Sequence, residues 1–148
     1  MSFVGIGMGA IQAGLFLPRA QEAGLARTVL VRRPAQARAI SAAGAVTVNV
    51  ARADGIHRRE VSELTAHTLS ADAALPALVA ATHVAVAVSS VSDYSGLAPL
   101  LSAALAAKAA GQGPKAILYT SENALDAAAR MAAALAPGPA GGLAGRGL

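Results

Sequence analysis

A chain of 148 residues that is 55% hydrophobic and 14% charged carries enough apolar material for one folded domain and too much for a disordered one. It has no cysteine, which excludes a disulfide framework and thiolate metal sites and points to the cytoplasm. The net charge of +4 comes from scattered arginines, and with only two Tyr and two Phe there is no basic face interleaved with aromatics, so nucleic acid is excluded as a partner.

The first 18 residues are apolar, but they have no basic start and are interrupted by Gly5, Gly7, Gly9 and Gly14, so they read as part of the fold and not as a signal peptide. Ser2 to Ile6 is a strand, and a helix follows from about Ala10 to Ala23, stopped by Gly24. Pro18 lies inside that helix and predicts a kink, eased by Gly14 four residues earlier. Thr28 to Val31 is a second strand, leading through Arg32 and Arg33 to Pro34 and a helix that ends near Ala43. Ala45 to Val50 alternates as a strand, Asp54-Gly55 is a turn, and Ile56 to Leu69 is extended in part. A short helix covers Ala71 to Ala81. Val84 to Val88 is a run of five apolar residues, the pattern of a strand buried on both faces. The longer stretch Leu75 to Val88 is broken by Pro76, Thr82 and His83 and is too short to span a bilayer, so no membrane partner is expected. A long Ala/Leu helix from about Ser95 to Ala110, a strand Ala116 to Thr120 and a last helix from about Ala124 to Leu135 complete the pattern. After Ala136 the chain is rich in Pro, Gly and Ala, so residues 1–136 read as the domain and 137–148 as a tail or linker.

Three places along this pattern can carry chemistry. Gly7-Met8-Gly9-Ala10-Ile11 follows the first strand and opens the first helix. Glycines let backbone approach a diphosphate, and Ala10 and Ile11 add free N–H groups at the positive end of a helix. Gln12 stands where a third glycine is usual. The second strand ends in Arg32 and Arg33, where an acid that binds a ribose hydroxyl is usual. Guanidinium suits a 2′-phosphate instead, so NADP is favoured as cofactor and NAD is the alternative. A pair of solvated turn arginines is the plain reading of the same residues. Ser89 and Ser90, after the buried strand, can line the path of a cofactor. Tyr119-Thr120-Ser121-Glu122-Asn123 ends the last strand on the side where open α/β sheets bind ligands. From spacing alone Asn123 reads as an N-cap, with Asp126 three residues on. The expected fold is α/β of Rossmann type, a doubly wound and mainly parallel sheet. His57, His67 and His83 have no metal-binding spacing, and no metal is expected.

Taken in order, the glycine loop Gly7 to Gly14, the strand Val46 to Val50, the segment Val84 to Ser92 and Ile117-Leu118-Tyr119-Thr120-Ser121-Glu122-Asn123 resemble the N-terminal domain of the mannitol dehydrogenase superfamily, in particular its mannitol-1-phosphate 5-dehydrogenase branch. The resemblance runs from about Phe3 to Met131. It implies metal-independent hydride transfer between a nicotinamide cofactor and a polyol or sugar phosphate. It also puts Glu122 at the cofactor and gives Asn123 a role in stabilising a developing alkoxide. In that family a helical second domain follows and supplies a lysine acid–base. Such a domain is absent from this sequence, so the chain is expected to be truncated and inactive alone. The face that domain would cover is expected on the last helix, at Ala124, Leu125, Ala128, Met131, Ala132 and Leu135, with self-association as the consequence. A stand-alone dinucleotide-binding module or redox sensor and a domain for another nucleotide are the alternatives.

Overall fold

The computed structural model describes residues 1–136, so the reading of 137–148 as a tail lies outside the described residues. Five strands form one parallel sheet: β1 (Ser2–Ile6), β2 (Ala26–Val31), β5 (Leu64–Thr68), β6 (His83–Val86) and β7 (Ile117–Thr120), in the order β5-β2-β1-β6-β7. β1 is central, with Val4 paired to Thr28 on one side and to Val84 on the other. Such a strand has both faces covered, and Phe3, Val4 and Ile6 are all buried. The order reverses between β1 and β6, so the loops leaving them diverge and open a crevice at their carboxyl ends.

Each face of the sheet has its own core. On one, Leu17, Ala20, Ala37 and Ile40 from α1 (Leu17–Glu22) and α2 (Pro34–Ala43) pack on Phe3, Val29, Val31 and Ala85. On the other, α3 (Ala74–Ala80), α4 (Tyr94–Ala109) and α5 (Ala127–Leu135) pack Leu78, Tyr94, Leu97, Leu101 and Met131 on Val4, Ile6, Leu30 and Val86. Each large side chain taken fully out of water contributes about 1.5–3 kcal/mol, which is why the alternating strand residues fix the register.

The stretch from Ala45 to Leu69 forms more strand than expected. β3 (Val46–Arg52) and β4 (Gly55–Val61) make an antiparallel hairpin separate from the main sheet. It docks on α1: Arg59 pairs with Glu22 at 2.7 Å, and the Ser62 N–H donates to Gln21 Oε1 at 2.9 Å. Arg59, then Arg19, hold the Glu22 carboxyl below its ordinary pKa.

Pro18 is accommodated by a change in helix type. The helix widens into a π turn over Gln12–Phe16, where the Leu17 N–H donates to the Gln12 carbonyl five residues back. Pro18 then falls in the first turn of α1. There its missing N–H is tolerated, and the mid-helix penalty of about 3 kcal/mol is avoided. The last helix begins at Ala127, not Ala124. Its buried side is Ala127 and Met131, with Ala134 and Leu135 partly buried, while Leu125 is fully exposed. The expected apolar face is therefore rotated: Ala128 and Ala132 point outward, and Met131 and Leu135 pack on the domain.

Gln12 shows how the helix approaches β1 without a third glycine. Its side chain is completely buried and lies on Gly5, where a Cβ would run into the amide. A strand glycine thus provides the space that a helix glycine usually provides. Neither Gln12 Oε1 nor Nε2 has a hydrogen-bond partner among the described residues. An unpaired buried polar group costs about 1–3 kcal/mol, so Gln12→Met, which keeps the length and drops the amide, is expected to raise the unfolding free energy by about that amount. Gly5→Ala is expected to lower it by about 1–3 kcal/mol through overpacking, and the second change Gln12→Ala to restore most of that loss. Denaturant melts of Gln12→Met, Gly5→Ala, Gln12→Ala and the Gly5→Ala/Gln12→Ala double variant check both. A destabilised Gln12→Met, or additive losses in the double variant, would contradict this packing.

Candidate functional site

The crevice at the β1/β6 reversal is a cleft of about 450 Å³. Its floor is the loop after β1. Gly7 has φ +90°, a conformation glycine tolerates, and a Cβ there would overlap the Ala87 carbonyl. The Gly7 N–H donates to the Leu30 carbonyl at 2.9 Å and the Ala87 N–H to the Ile6 carbonyl at 2.9 Å, so the ends of β2, β1 and β6 are knitted together at this point. Gly9 is different, because nothing lies within 4 Å of where its Cβ would stand. No neighbour in the fold demands a glycine there, and the space is open to a ligand. The first bond of the helix is from the Ala13 N–H to the Gly9 carbonyl, so the N–H groups of Ala10 and Ile11 precede the helical ladder. Gly7, Gly9, Ala10 and Ile11 all line the cleft. An open cradle with free N–H groups fits a diphosphate.

Arg32 and Arg33 line the other wall with Gln36. Arg32 is not simply solvated: its Nη2 is 3.0 Å from Asp93 Oδ1. Arg33 is exposed and occupies the position before α2 without a side-chain cap bond. Ser89 lines the cleft. Ser90 does not line it. Its hydroxyl accepts from the Ser92 N–H at 3.2 Å and from the Ser92 hydroxyl at 2.9 Å, capping the 3-10 turn Val91–Asp93.

Glu122 sits beneath the site and joins its parts. One carboxylate oxygen accepts from the Val88 N–H at 2.9 Å, and the other from the Ser121 N–H at 3.1 Å and from the Tyr94 hydroxyl. It ties the segments after β6 and β7 to the start of α4, and it does not line the cleft. Burial, then the Glu122 bond and charge, push the Tyr94 hydroxyl above its ordinary pKa. The capping box expected at Asn123 does not form, because the helix starts three residues later and Asp126 pairs with Arg130 at 2.8 Å instead. Asn123 is exposed, and its side chain makes no hydrogen bond among the described residues.

Met8 and Ser121, from the glycine loop and the end of β7, also line the cleft, as do Gln36, Leu69 and Asp93, which were not legible as site residues. Of these last three only Asp93 had a signal, being an acid just after the serine-rich loop. Lys108 is far from the cleft. Its Nζ donates to the carbonyls of Val79, Ala81 and Pro114 at 2.8, 2.6 and 2.8 Å, at the amino ends of β6 and β7, and burial lowers its pKa. Among the described residues no three His, Asp or Glu side chains are grouped as metal ligands, and no helix is long and apolar enough to cross a membrane.

Glu122→Ala strands the buried Tyr94 hydroxyl and frees two backbone N–H groups, and is expected to cost about 3 kcal/mol in urea melts. The raised Tyr94 pKa favours the neutral phenol in the fold. Its contribution to stability is present below the ordinary value near 10 and is lost as pH rises above it. The unfolding free energy of the native sequence is therefore expected to fall more steeply above about pH 10 than that of Tyr94→Phe. Parallel slopes would contradict the buried contact.

No family model and no curated protein sequence matches the chain. Among solved structures it is similar to a mannitol 2-dehydrogenase from Pseudomonas fluorescens, determined as a ternary complex with NAD and D-mannitol. The TM-score is 0.69 at 12% identity. The match covers 91% of this chain and 36% of that one, so this chain spans little more than a third of the enzyme's length. At that identity the likeness concerns the fold, and together with the strand order it shows a Rossmann-type α/β domain.

Proposed function

We propose that the cleft holds a nicotinamide dinucleotide and that the chain is the cofactor-binding part of a polyol or polyol-phosphate dehydrogenase, of the mannitol 1-phosphate/fructose 6-phosphate type. The observation that carries this reading is the open cradle at Gly9, set between Gly7 and the helix start at the point where the strand order reverses. The likeness to an enzyme solved with NAD and a polyol supports it.

In this reading Gly7, Gly9, Ala10 and Ile11 bind the diphosphate, and Arg32 and Arg33 take the adenosine end, with NADP favoured and NAD the alternative. Ser89 lies along the cofactor, while Ser90 and Glu122 hold the loops in shape. A bound nicotinamide supplies the hydride acceptor or donor. Asn123, free of any capping duty, donates to the reacting oxygen and stabilises charge there. Lys108 and Lys115 are the only lysines in the sequence. Lys108 is held by three carbonyls and Lys115 precedes β7, so neither reaches the cleft as an acid–base. That distance is what favours the second reading, a dinucleotide-binding module or redox sensor. A cytoplasmic location and self-association through Leu125 and the outward alanines of α5 belong to the main proposal.

Fluorescence titration tests it. The 148-residue chain is expected to bind NADPH more tightly than NADH, and Arg32→Asp to reverse that order. No turnover of mannitol 1-phosphate or fructose 6-phosphate is expected from the chain alone. Equal affinities unchanged by Arg32→Asp would remove the cofactor preference, and turnover would show that the base lies within these residues.

A further inference from the structure

The Arg32–Asp93 ion pair spans the cleft. Arg32 follows β2, and Asp93 ends the 3-10 turn after β6. In the sheet these strands flank β1, so the pair reaches across the carboxyl end of β1, where the glycine loop leaves it. Both residues line the cleft. Asp93 occupies the N-cap position of α4, where an aspartate ordinarily turns its carboxylate back onto its own helix. It makes no such bond. Its carboxylate is committed to Arg32 instead. The Asp93 side chain is 24% exposed and that of Arg32 59%, so the acid is the fixed end of the pair and the guanidinium the free one.

We propose that Asp93 is a specificity-determining residue, competing with ligand phosphate for Arg32 and so limiting the preference for a dinucleotide that carries a 2′-phosphate. The inference rests on reading the cleft as a nicotinamide dinucleotide site. A phosphate dianion drawn to Arg32 meets a carboxylate already paired with the same guanidinium, and the two anions repel. A free 2′-hydroxyl meets the opposite situation, because it can donate to that carboxylate. The acid missing from the end of β2 is thus supplied in space by the turn after β6. Arg32 draws phosphate, and Asp93 restrains it.

Affinities of the full chain for NADPH and NADH, measured by titration at one low ionic strength, test this in four proteins: the native sequence, Asp93→Asn, Arg32→Gln and the double variant. Asp93→Asn is expected to tighten NADPH about five- to tenfold and to weaken NADH by about twofold or more. In the Arg32→Gln background the same change is expected to tighten NADPH much less, by the direct repulsion alone. Asp93→Ser, which keeps a side chain able to cap α4, repeats the measurement in case the amide disturbs the fold. An equal change for both nucleotides, or none, would overturn the proposal and leave the dinucleotide site standing. Failure of every protein to bind either nucleotide would overturn the reading of the cleft and this inference with it.

Discussion

Where β1 ends, three strands must part and their backbones must pass within contact distance, and Gly7 is where this happens. Its α-carbon packs against the Ala87 carbonyl with φ +90°, while its N–H reaches across to Leu30. A side chain there would push β6 away from β1 and close the geometry from which the cleft is made. The path of the loop through Gly9, the direction of the helix start and the placing of the β6 loop opposite Arg32 all follow from that contact. The helix behind it is pressed to the strand by a second close approach, Gln12 over Gly5, at the cost of a buried amide without a protein partner.

A cleft between diverging loops needs its far wall fixed as well, and Glu122 does this from below. One carboxylate satisfies two backbone N–H groups and a buried phenol, and so ties the segments after β6 and β7 to the start of α4. This arrangement leaves Asn123 beside it with no structural task among the described residues. A polar side chain released from the fold at the carboxyl end of a strand is available for a ligand. Asp93 is a related case: placed to cap a helix, it pairs with Arg32 instead.

Much of this could be read in the sequence because the relevant signals are local. Apolar runs of strand length alternating with alanine-rich helices marked the layers, and a glycine cluster between the first strand and helix marked the floor of the site. What could not be read depended on partners far along the chain. Gln12 departs from the glycine motif, and only the fold shows Gly5 opposite it. Arg32 carries no local sign of its ion pair, since Asp93 lies 61 positions later in the sequence. Glu122, expected at a cofactor, also bonds to Val88 and Tyr94, contacts that only the β6–β7 pairing creates. Local propensity also misplaced the last helix. The Asn123–Asp126 spacing suggested a cap, but the helix starts only after Asp126, whose carboxylate pairs with Arg130. The π turn before Pro18 was not legible, because an added helical residue leaves no periodic mark.

Whether a dinucleotide lies on the Gly7–Gly9 loop at the carboxyl ends of the strands is tested most directly by amide chemical shifts of the isotope-labelled chain during addition of NADPH. The largest changes are expected on the N–H groups of Gly7, Gly9, Ala10 and Ile11, with Arg32 and Ser89 next, while residues beside Lys108 at the opposite end of the sheet stay fixed. Shifts confined to that opposite end, or none at saturating nucleotide, would contradict that placement.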